Sequence, residues 1–129
     1  MKHVTLISLF SIALFSCQKN NNTVSPDEVK ITVNSPLSGQ TFYSGDSVYI
    51  KANVSYNAEL HGCEVKITDT ATGLILFDNA QHTHNSQFDI NNSWAQPVTK
   101  ATPLRVTITA YVDHNGTQVT TNIDIVVKP

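Results

Sequence analysis

The chain has 129 residues, with eight Lys+Arg against ten Asp+Glu, a net charge of -2 and only 14% charged residues. That balance offers no basic face, so neither DNA nor RNA is an expected partner. An apolar fraction of 40% supports one packed core and argues against wholesale disorder, and the roughly 100 residues left after a leader make a single domain.

Lys2 and His3 form a short polar start, followed by an apolar run from Val4 to Phe15. The run is too short for a permanent bilayer helix, which needs about 20 residues, but suits the apolar centre of a secretory signal. It ends in Leu14-Phe15-Ser16-Cys17, which resembles the lipobox of bacterial lipoproteins: an aliphatic residue, a small residue directly before the cut, then cysteine. The resemblance implies that residues 1–16 are removed and that Cys17 is acylated on its sulfur and new amino group. An ordinary signal peptide with a chance cysteine is the alternative reading. Residues 17–28 are polar, aperiodic and contain Pro26, so they are expected to form a flexible tether. Loss of Lys2 leaves seven basic against ten acidic residues, a net charge of -3, so attachment would rest on the lipid rather than on charge. The expected location is the cell envelope, anchored to the outer membrane and facing either the periplasm or the outside.

From Val29 to the C-terminus the hydrophobic period is two. Val29, Ile31 and Val33 alternate with polar residues, as do Val48, Ile50, Ala52 and Val54, and then Cys63, Val65 and Ile67. The longest set is Leu104, Val106, Ile108, Ala110 and Val112, and Val119, Thr121, Ile123, Ile125 and Val127 close the chain. Such alternation marks strands with one buried and one wet face. With two shorter candidates it predicts strands over 29–34, 47–55, 62–69, 73–78, 86–91, 103–113 and 117–127. Turn signals separate them, the strongest being Asn115-Gly116 between two alternating runs. Seven short strands in residues 29–129 predict an all-β fold, an immunoglobulin-like antiparallel β-sandwich.

Ser35-Pro36, Gly39, Phe42 and Gly45-Asp46-Ser47-Val48 resemble the opening of bacterial immunoglobulin-like modules. Leu60-His61-Gly62-Cys63-Glu64-Val65, His82-Thr83-His84, Trp94 and Asp113-His114 are similar to stretches of small lipoproteins of the Bacteroidota. These resemblances imply a sandwich on a lipid anchor and imply no reaction. Asp46-Ser47-Val48 and Asp69-Thr70-Ala71 also resemble short O-glycosylation sites of those bacteria.

The histidines carry the functional signal. If strand direction alternates along the chain, the connections before 62, between 78 and 86, and between 113 and 117 share one end of the sandwich. His61, His82, His84 and His114 all fall there. His61 lies two residues before Cys63 and His114 two after Val112, so both continue buried faces. In immunoglobulin-like sandwiches the strands they extend are neighbours. His82 and His84 point the same way in an extended segment. Three or four imidazoles at one mouth suit zinc, copper or nickel, with zinc or copper the expected ion. Cys63 is a candidate thiolate ligand that would favour copper(I), although its inward parity also fits a plain core residue. Asp113 is a candidate partner to orient one ring. The competing reading makes the histidines polar caps on loops of a non-catalytic spacer or interaction module with an envelope protein as its partner. A hydrolytic metal site with one open position is a third reading. No nucleophile elbow, phosphate loop or paired-carboxylate spacing appears, so no enzyme is expected. Trp94 is expected to close the far end of the core near Pro97, and Tyr49 and Tyr111 to face outward from different sheets.

Overall fold

A computed structural model describes residues 25–129; the leader, Cys17 and the tether as far as Val24 lie outside the described residues. β-branched residues in strict alternation cannot gather one apolar stripe on a helix, but they pleat into strands with a dry face. Eight strands result: β1 (Lys30–Ser35), β2 (Thr41–Tyr43), β3 (Val48–Ser55), β4 (Gly62–Asp69), β5 (Ile75–His82), β6 (Gln87–Trp94), β7 (Thr102–Tyr111) and β8 (Gln118–Lys128). They form a three-stranded sheet of order β1-β3-β6 and a five-stranded sheet of order β2-β8-β7-β4-β5. All pairings are antiparallel except β2 with β8. The chain is an immunoglobulin-like β-sandwich, and its dry interior follows the expected parity. Val48, Ile50 and Val54 of one sheet meet Val65, Ile67, Val106, Ile108, Ile123 and Ile125 of the other, all buried. Burying one such side chain stabilises the fold by about 1.5–3 kcal/mol before entropy is counted.

The structure differs from the expected pattern where no residue of a segment is fully buried. Three residues, with only Phe42 half-buried, make β2, too short a run to show a period. Beyond residue 78, β5 continues through Asn79-Ala80-Gln81-His82, paired with β4 from Val65 back to Gly62. It is an edge strand with mostly exposed residues, so backbone pairing extends it where no hydrophobic alternation could. β6 likewise runs on to Trp94 by pairing with the first half of β3. The last part of the expected tether is ordered: Pro26–Glu28 form a 3-10 turn, and the Glu28 carboxylate accepts a hydrogen bond from the Asn57 side chain. The β7–β8 connection is wider than a two-residue hairpin. Val112 N–H donates to Thr117 O (2.8 Å), which closes a loop over residues 113–116. Within that loop only Gly116 has positive φ (89°), whereas a type I′ turn needs two such residues.

Candidate metal centre

The order β7-β4-β5 places the ends of three neighbouring strands side by side, and each carries histidine. His61 immediately precedes β4. Its N–H donates to Tyr111 O (2.8 Å) and its carbonyl accepts from Thr83 N (3.5 Å), so its backbone is tied to both neighbouring strands. Gly62 lies opposite His82 and allows an unusually close approach. A Cβ there would fall 2.6 Å from Gln81 O and 3.5 Å from the His82 Cα. His82 ends β5, and His84 follows in a loop fixed by Leu60 N–H donating to Asn85 O (3.1 Å). His114 sits in the β7–β8 loop, which the Asp113 carboxylate holds by accepting from Asn115 N, Thr117 N and Thr117 Oγ1 at 2.7–3.0 Å.

All four rings meet. The His61 ring centroid lies 4.3 Å from that of His82, 5.7 Å from His84 and 3.6 Å from His114, and His82 is 4.7 Å from His84. Nε2 of His82 and Nε2 of His84 are 3.0 Å apart, a hydrogen bond in which either ring can donate. One nitrogen from each of His61, His82 and His84 falls in a group whose members all lie within 4.8 Å of one another. Two nitrogens about 2 Å from a tetrahedral ion are about 3.3 Å apart, so modest side-chain rotations would bring all three onto one ion. His114 stands beside this group, its ring tilted 41° against that of His61. His82, His84 and His114 are exposed and His61 half-buried. Removal of the His61 ring from water, with the charges of His114, His82 and His84 adding, holds its pKa below the ordinary value; Asp113 opposes this. A neutral imidazole is the form that binds metal.

Of the two readings of Cys63 the core residue holds, and the expectation for Asp113 needs correction. Cys63 is not among the three grouped ligands. It packs in the interior between Ala110 and Gln81, and burial pushes its thiol up to about 11, away from thiolate character. Its parity fits a core residue. The Asp113 carboxylate is spent on its own turn rather than on orienting a ring. Other polar groups also have structural work. Glu64 accepts from Tyr111 Oη (3.0 Å) and pairs with Lys66 (2.7 Å), and Arg105 makes a two-pronged contact with Asp124. Trp94 lines, with Pro97 and Leu74, a hollow of about 240 Å³ at the end remote from the histidines. Tyr49 is exposed on the three-stranded sheet and Tyr111 belongs to the other. Gly62 is the site residue that pattern reading missed; a glycine wedged between a histidine and a strand was its signal.

No protein-family model matches the chain. A stretch of 91 residues, 68% of this chain, is 33% identical to candidapepsin of Candida tropicalis and covers 21% of it, so the chain spans about a fifth of that protein's length. Among solved structures, the chain is similar to a fibronectin(III)-like module of CbhA from Clostridium thermocellum. The TM-score is 0.44 at 19% identity, covering 77% of this chain and 96% of that one.

Proposed function

We propose that this chain is a lipid-anchored module of the cell envelope that binds a transition metal, zinc or copper, through His61, His82 and His84. The observation that carries the reading is the convergence of three imidazole nitrogens within 4.8 Å of one another, one from just before β4 and two from the end of β5 and the loop after it. Two backbone ties on His61 and the close approach at Gly62 hold the first ligand against the second before any ion arrives. Preorganisation of this kind reduces the ordering cost of binding. The role proposed is binding; Glu64 and Asp124 are engaged in bonds that hold strands, and Asp113 in bonds that hold a turn.

A thermal melt tests this. An ion that binds only the folded state adds RT ln(1 + [L]/Kd), about 2.7 kcal/mol at 100-fold excess over Kd. Micromolar zinc or copper(II) should therefore raise the melting temperature of the protein and leave that of a His61→Ala, His82→Ala variant unmoved. Absence of any shift in the unmutated protein refutes the reading. The second reading, a spacer with incidental histidines, draws on the His82–His84 hydrogen bond, which satisfies one nitrogen of each ring without an ion. The same melt separates the two. Anchoring rests on the Leu14-Phe15-Ser16-Cys17 pattern and is tested by incorporation of labelled palmitate, which Cys17→Ser should abolish.

A further inference from the structure

We propose that the metal at this site takes its remaining ligand from outside the chain, in the form of a free zwitterionic amino acid. The inference rests on the metal reading above and adds to it the class of molecule that completes the coordination. Three nitrogens converge, whereas a tetrahedral ion takes four ligands, and a site with three protein ligands keeps one position for water or substrate. Beside His61, His84 and His114 lies a hollow of about 190 Å³ with Leu60 and Val112 in its lining. A water occupies about 30 Å³ of liquid, so the hollow has room for several non-hydrogen atoms.

The charges around the hollow select among small donors. A divalent ion held by three neutral imidazoles keeps its full charge and attracts a carboxylate. The same hollow is lined by Glu59 and Asp113, both carboxylates, which repel a simple anion and attract an ammonium. Asp113 bonds to its own turn, but those bonds come from neutral donors and leave its charge in place. Glu59 is exposed. An α-amino acid answers both demands at once, with its carboxylate on the metal and its ammonium toward Glu59 and Asp113. Acetate meets only the first demand and an alkylamine only the second.

Cobalt(II) serves as the probe ion, because its visible absorption reports a change of ligand directly. The full chain is loaded with one equivalent of cobalt(II), and L-leucine, acetate and n-butylamine are titrated separately, with ultrafiltration to show that the ion stays on the protein. The proposal predicts a spectral change saturating with leucine at a concentration at least tenfold below that needed for acetate, and none with butylamine. Glu59→Gln, kept saturated with cobalt(II), should lose most of that tenfold preference. Equal response to leucine and acetate, no response to leucine in the cobalt-loaded protein, or a Glu59→Gln variant with its preference intact each overturns the proposal while sparing the metal site. Failure to bind cobalt, zinc or copper at all overturns the metal reading, and this inference falls with it.

Discussion

Replacing Gly62 by alanine asks whether the close approach of β4 and β5 sets the histidine geometry. The new Cβ would sit 2.6 Å from the Gln81 carbonyl oxygen, about 0.8 Å inside ordinary contact, and the obstacle is backbone rather than a yielding side-chain tip. The strands must part at the end where His61 and His82 face each other. Overpacking of this kind costs about 1–3 kcal/mol, and each kcal/mol lowers the melting temperature of a domain this size by about 4–8 °C. Metal–ligand distances tolerate about 0.2 Å, so an ion must pull the strands back together and restore the strain. The same 1–3 kcal/mol therefore reappears as a loss of about 5–150-fold in metal affinity. Gly73→Ala is the matched control. Gly73 has a φ of 77° in the turn before β5, at the far end of the strand from His82, so alanine there costs about as much through backbone strain. Both variants should be measured by urea unfolding and by metal titration. A Gly62→Ala protein destabilised like Gly73→Ala but with unaltered metal affinity would refute the positioning argument. Undiminished stability would refute the contact itself.

Three further outcomes are expected. Between the lowered His61 pKa and the ordinary histidine value of about 6.5, the unfolded chain binds more protons than the folded one. Stability should thus be fullest above that value and fall as pH drops through the window, and melting curves from pH 5 to 7.5 on the protein and on His61→Asn should show a shallower fall in the variant. The Cys63 thiol, pushed up to about 11 by burial, should resist a thiol reagent at pH 8 in the folded protein, react fully in guanidinium, and leave metal affinity within about twofold when replaced by alanine. Tyr111→Phe removes the hydroxyl that donates to Glu64 and should cost about 0.5–1.5 kcal/mol in urea unfolding, with no change in metal stoichiometry.

The sandwich was legible because its core strands obey a single rule. Ile50, Val65, Ile108 and Ile123 sit where alternation puts them, and their two sheets follow from it. The end shared by the four histidines was legible too, since strand direction depends only on counting strands and the parity of His61 on counting residues. What alternation could not show was backbone pairing with little burial: the extensions of β5 and β6 and the short β2 are held by ladders and carry no fully buried side chain of their own, although Phe42 and Trp94 pack against the edge of the core. The choice of ligands depends on ring positions rather than on sequence spacing. His84 joins His61 and His82, while His114 and Cys63 lie equally near in sequence terms to the strands involved and remain outside the group. Asp113 shows the same limit: next to a histidine in sequence, it folds back onto Thr117.

The central claim is a single metal ion on three imidazoles, and calorimetric titration of the protein with zinc and with copper(II) tests it most directly. The account predicts one ion per chain, with binding abolished in His61→Ala, His82→Ala and His84→Ala and retained in His114→Phe, which keeps a ring against His61. No heat at micromolar metal, or binding that survives in the triple variant His61→Ala, His82→Ala, His84→Ala, would contradict it.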